Sequence, residues 1–180
     1  MPVPFDRALT GWSRLLWGLA LLTLALNVAQ LSLLWFEPVL PITLTSGDEV
    51  WSTDFHDQPR HVQIALIALV TGSELPWIFA VVQIALLGRD YMRGTVFTEN
   101  NTRRFQKIGL ALIALGVFGS LLHPAIAALL FAFGGAPWMA DMAPLFTLEI
   151  DYLMAGLLFF VIGKIMQRGL ELQTSDQFTI

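Results

Sequence analysis

Residues 88–109 read GRDYMRGTVFTENNTRRFQKIG. This stretch carries five cations, Arg89, Arg93, Arg103, Arg104 and Lys107, between two long apolar segments. A basic connection between apolar runs is what the positive-inside rule places on the cytoplasmic face of a membrane.

Four segments are long enough to span a bilayer, which takes roughly 20 apolar residues. They run over residues 15–36, 62–87, 108–133 and 144–163. Composition agrees: hydrophobic residues make up 56% and charged ones 13%, against about 25% charged in an ordinary soluble domain. The first span follows Arg7 and Arg14 as a signal peptide would. It is too long for a signal h-region and no A-x-A cleavage site follows, so it reads as an uncleaved helix.

Connections between the spans segregate by charge. The segment 37–61 has five acids, Glu37, Asp48, Glu49, Asp54 and Asp57, against Arg60 alone. The tail 164–180 has Lys164 and Arg168. Nine of the ten Lys and Arg residues thus fall on one side of a four-span chain. The expectation is an all-α integral membrane four-helix bundle with both termini and loop 88–107 cytoplasmic. Trp12, Trp17, Trp35 and Trp138 suit interfacial anchors. Alternation around Ser46-Gly47-Asp48-Glu49 predicts a short outer hairpin or irregular segment between the first two helices. Such a hairpin is marginal alone and must rest on the helix ends or the lipid surface.

The chain lacks cysteine, which excludes disulfides and thiolate chemistry. It also lacks a Walker loop, a G-x-S-x-G elbow and an H-E-x-x-H pair. No catalytic residue, cofactor, metal or direct nucleic-acid contact is expected.

Ionisable and amide groups inside spans are candidates for function by default. Asn27, Glu74, His123 and Glu149 lie, one per helix, about 20–24 Å from the cytosolic helix ends at about 1.5 Å per residue. They could form a polar layer that fixes helix register, or line a pocket for a proton, cation or small ligand. Pro76 and Pro124, close to Glu74 and His123, could kink their helices at this level. His123 with Glu74 and Glu149 could ligate zinc in geometry, although three separate helices make that a weak signal. Asp151 falls on the opposite side of its helix from Glu149. Gly116 and Ser120 form one small-xxx-small pair, a pattern common in membrane helices.

At the basic loop, Thr98 can cap a helix beginning at Glu99. The run Gly94-Thr-Val-Phe97-Thr-Glu99-Asn100, then Arg104-Phe-Gln-Lys-Ile-Gly109, resembles the loop signature of the domain-of-unknown-function 2975 family, small bacterial membrane proteins with four predicted spans. The run Gly163 to Gly169 and the ending Asp176-Gln-Phe-Thr179-Ile180 are similar to that family too. The long acidic outer connection and the Gln-Phe insertion before Thr179 depart from it. The resemblance implies a membrane protein that binds a small cytosolic helix-turn-helix regulator, since such regulators are often encoded beside family members.

Two roles stand open for the loop. Arg103, Arg104 and Lys107 could serve topology and lipid headgroups alone, or a docking surface for a cytosolic protein. Phe97, Glu99 and Asn100 could pack on the tail, with Glu99 paired to Arg168 or a loop arginine and Ile180 covering an apolar patch. Residues Ile165, Met166, Gly169, Leu170 and Leu172 suit a helix continuing beyond the membrane. The functional alternatives are an interaction protein and a small channel or transporter, which at four spans would need a homo-oligomer to enclose a pore.

Overall fold

The computed structural model describes residues 7–36, 41–46, 49–133, 136 and 147–176. Four helices dominate: α1 (Arg7–Phe36), α2 (Arg60–Met92), α3 (Glu99–Phe133) and α4 (Ile150–Asp176). All four are long and apolar enough to cross a membrane. Strands β1 (Pro41–Ser46) and β2 (Glu49–Asp54) form an antiparallel hairpin between α1 and α2, followed by a short 3-10 turn, Phe55–Asp57.

Packing is serial. Helix α1 lies on α2, α2 on α3 and α3 on α4, and the other helix pairs touch at most marginally. Neighbours run antiparallel, as their contacts show. Trp35 Nε1 donates to Thr71 Oγ1 at 3.3 Å, whereas Trp17 sits against Gly88. Phe55, Val62 and Leu66 cluster with Ala127 and Leu130 at the hairpin end of the molecule, and Leu87 clusters with Ile108 and Leu112 at the basic end.

The hairpin does rest on the helix ends. Its register pairs Ile42 with Thr53 and Leu44 with Trp51, so one face carries Ile42, Trp51 and Thr53. Ile42 and Trp51 pack on the Phe55–Leu130 cluster together with Leu34 of α1. Buried Gln58 then ties the base of the hairpin, donating from Nε2 to Thr53 Oγ1 at 3.0 Å. Its carbonyl oxygen of the main chain accepts from Gln63 Nε2 at 2.9 Å. These contacts supply the burial that a free hairpin lacks.

The α3–α4 interface is the most extensive, and glycine makes it possible. A Cβ placed on Gly109 would meet the Gly156 carbonyl oxygen and the Phe160 nitrogen, each at 2.6 Å. One on Gly156 would meet the Gly109 carbonyl oxygen at 2.7 Å, and one on Gly163 would meet Gln106 Cγ at 2.7 Å. Backbones approach this closely only where no side chain separates them. Gly116 and Ser120 belong to the same face. Ser120 Oγ donates to the Gly116 carbonyl at 2.7 Å and accepts the Glu149 N–H at 3.2 Å.

That last bond explains why α4 begins later than hydropathy suggests. Residues 147–149 are not helical, and Glu149 stands immediately before the first helical residue. Its carbonyl accepts the N–H of Leu153 at 3.3 Å. The apolar run from 144 is therefore not all helix, and the helix extends instead well past residue 163 to Asp176. The tail residues Ile165 to Leu172 continue α4 beyond residue 163. Trp138, and the end of the tail with Ile180, lie outside the described residues.

Candidate functional site

The site is built where α2 hands over to α3. Helix α2 ends on Gly94, whose φ of 78° is left-handed. Gly94 N–H donates to the Tyr91 carbonyl and Thr95 N–H to the Asp90 carbonyl, both at 3.1 Å. These two bonds form a Schellman closure, which favours glycine because a Cβ is strained in that conformation. Thr95 Oγ1 adds a second donor to the Asp90 carbonyl at 2.8 Å.

Thr98 then caps α3 as expected. Its Oγ1 accepts the N–H of Asn101 at 3.2 Å, and its carbonyl accepts both the N–H and the hydroxyl of Thr102 at 3.0 and 3.1 Å. Asn101, fully buried, locks the turn from inside: Nδ2 donates to the carbonyls of Thr95 and Val96 at 2.6 and 3.1 Å. Beneath it, buried Arg104 places Nη1 2.9 Å from Asp90 Oδ2, joining the start of α3 to the end of α2. The side chains are only 10% and 14% exposed, so this ion pair is shielded from water. The connection is thus rigidly tied.

On this frame the sequence-singled residues divide. Phe97, Glu99, Asn100, Arg103 and Lys107 are exposed. Glu99 pairs with the loop arginine, Arg103, at 2.6 Å across one helical turn, and not with Arg168. Both partners face solvent, so the pair contributes little. Arg104 differs from its neighbours by turning inward. Arg168 is exposed on α4.

Loop and tail do meet. A groove of about 680 Å³ runs between the first turns of α3 and the last turns of α4. Phe97, Thr98 and Arg103 form one wall, and Lys164, Leu170 and Glu171 belong to the other. Its floor is crossed by a bond from Gln106 Nε2 to Gln167 Oε1 at 3.1 Å, and Gln167 donates on to Glu171 at 3.1 Å. The Lys164 ammonium lies 5.8 Å above the Phe160 ring. Phe97 is 73% exposed, an aromatic side chain on a turn tied by hydrogen bonds. The groove presents an aromatic side chain, both signs of charge and amide groups.

The four intramembrane polar residues do not form one network. Asn27 Nδ2 donates to the Thr23 carbonyl of its own helix at 2.8 Å. Glu149 holds the start of α4 through its backbone. Glu74 is half-buried and His123 exposed. No hydrogen bond or ion pair joins any two of the four among the described residues. Nor does any group of three or more His, Asp or Glu residues there assemble with a metal-holding arrangement.

Sequence reasoning passed over Asp90, Asn101, Thr102 and the Gln106–Gln167 pair. A signal existed for one of them, Asn101. Extending the buried stripe Leu112, Ile108 back along α3 by helical spacing arrives at Arg104 and Asn101 rather than Arg103 and Asn100.

The molecule is a small α-helical membrane protein with four candidate spans and a groove between α3 and α4 at its basic end. The chain belongs to the family described as Protein of unknown function (DUF2975), whose model matches residues 49–180. The match begins in β2 and takes in the loop, the groove and all of α2, α3 and α4. No curated protein and no solved structure matches the chain.

Proposed function

We infer that this is a regulatory interaction protein of the bacterial inner membrane, with its groove facing the cytoplasm and receiving a small helix-turn-helix regulator. The observation that carries this reading is Phe97: an exposed aromatic on a turn fixed by Asn101, Thr98 and Gly94, at the rim of a groove that α4 completes. Exposed aromatics held rigidly cost little entropy on binding and are common anchors at interfaces. The cytoplasmic orientation follows from the nine cations on one side of the chain. The choice of a DNA-binding partner comes from the family resemblance alone. The groove is wide enough to take side chains from a partner helix, and its mixed charges would set that helix's register.

The channel or transporter reading has less to stand on, because among the described residues the helices pack serially and the four polar residues are not linked to one another.

The test uses the protein in nanodiscs and the small helix-turn-helix proteins encoded near its gene. Phe97→Ser is expected to weaken binding at least ten-fold while leaving the melting temperature unchanged, since the side chain is so exposed. Leu170→Ser, on the opposite wall, is expected to weaken binding as well. Binding that survives both substitutions, or no binding by any of these proteins, overturns the reading.

A further inference from the structure

A second groove lies within the membrane-spanning part, between α2 and α3, with no residue of α1 or α4 in its lining. It is a shallow groove, open along its length, of about 550 Å³. Its walls are Leu75, Phe79 and Phe118, all partly open to the surroundings at 58%, 46% and 49% exposure. Its bed is made by small residues, Gly72 on α2 and Ala111 and Ala114 on α3. A smaller hollow of about 300 Å³ shares Gly72 and Phe118 with it and continues toward the hairpin end.

Polarity along the groove is one-sided. Lys107 is its only charged lining residue and stands at the basic end. The cations one turn and nearly one turn before it are engaged, Arg103 by Glu99 and Arg104 by Asp90. Lys107 is exposed and has no ion-pair partner among the described residues. From Lys107 to Phe118 the groove follows α3 for about 16 Å at about 1.5 Å per residue. That is close to half of a hydrocarbon core about 30 Å thick, the depth of one leaflet.

We propose that this groove binds one anionic phospholipid, an acyl chain lying over Gly72, Ala111 and Ala114 and the phosphate at Lys107. An apolar channel one leaflet deep, ending in a free ammonium at headgroup level, matches that amphiphile in length and in charge. Anionic lipids are drawn to cations at this depth, and a lysine can extend along its own stem to meet the phosphate. A second copy of the chain fits less well. A two-fold pair in one membrane has its axis along the membrane normal, so both Lys107 side chains would come to the same level of the same interface. Like charges there oppose the contact.

Gly72 offers a clean test. A Cβ built there meets nothing within 4 Å, so Gly72→Leu adds apolar bulk to the groove's bed at a position where the backbone has room. The wild type, Gly72→Leu and Lys107→Gln would be compared by native mass spectrometry in detergent. The probes are phosphatidylglycerol and phosphatidylcholine with the same acyl chains. The wild type is expected to retain one phosphatidylglycerol, at least ten-fold more tightly than phosphatidylcholine. Gly72→Leu is expected to lower that retention ten-fold or more with an unchanged melting temperature. Lys107→Gln is expected to bring the two lipids close to parity. Equal retention of both lipids by the wild type, or undiminished phosphatidylglycerol binding by Gly72→Leu, overturns the proposal. So does a wild-type dimer that Gly72→Leu converts to monomer, which would assign the groove to a second copy. Because Phe97 and the α3–α4 groove are untouched by these variants, the result is independent of partner docking.

Discussion

Asn100 and Asn101 are adjacent in sequence and opposite in consequence. Asn100 faces solvent, whereas Asn101 is fully buried and its amide serves the carbonyls of Thr95 and Val96. Asn101→Ala leaves both carbonyls without that donor. The expected cost is about 1–3 kcal/mol, the penalty for stranding buried polar groups. It would be read as a lowered melting temperature in detergent, with Asn100→Ala unchanged. Equal melting for both variants would show that the turn does not depend on this residue. At this scale the sequence could be read only halfway. The cap at Thr98 was legible because its chemistry is local, a hydroxyl meeting free N–H groups one turn on. Which asparagine and which arginine turn inward depends on the phase of α3, which the local motif Phe97-Thr-Glu99-Asn100 does not set. Asp90 was hidden for another reason. Amid five cations it looked like a minor charge, yet it is the one that Arg104 finds across the turn.

The α3–α4 pair shows what a repeat of seven does between helices. Gly109 and Gly116 are seven apart on α3, and Gly156 and Gly163 are seven apart on α4, so each pair returns to nearly the same face. Antiparallel packing then sets Gly109 against Gly156. Because the clash there is with backbone rather than with flexible side-chain ends, the helices must separate to admit a methyl group. Gly156→Ala is expected to destabilise the protein by about 1–3 kcal/mol, as overpacking does. Gly169→Ala meets nothing within 4 Å and is expected to be neutral or slightly stabilising, since alanine favours helix. Thermal unfolding of the two variants side by side checks this; equal stability would mean the interface can relax. This spacing of seven stands in the sequence beside the Gly116–Ser120 spacing of four. Pairing requires knowing which two helices meet, and glycines at intervals of seven do not name their partner. The hairpin was easier: alternation and a glycine turn are local, and its need for a seat followed from its size.

For the whole molecule, span number and charge asymmetry were legible, because each span must satisfy its own backbone and loops carry the cations. Helix order in space was not. Lipid is as apolar as leucine, so an apolar face does not distinguish a neighbouring helix from the bilayer. Helix α1 is the clearest case: only 6% of its most apolar window is buried, although nothing in its composition marks it as peripheral. The side of the membrane matters more to function than this order, because cytosolic docking requires the basic end to face inward. The absence of native cysteine makes that testable with single introduced thiols. His56, exposed beside the hairpin, and Asn100, exposed at the start of α3, mark the two ends and leave every Lys and Arg in place. In intact cells a membrane-impermeant maleimide is expected to label His56→Cys, and to label Asn100→Cys only after the membrane is opened. The asymmetry follows from charge: turning the chain over would carry nine cations across the membrane in exchange for Arg60. Reversed labelling would place Phe97 and its groove outside the cell and remove any cytosolic regulator as the partner.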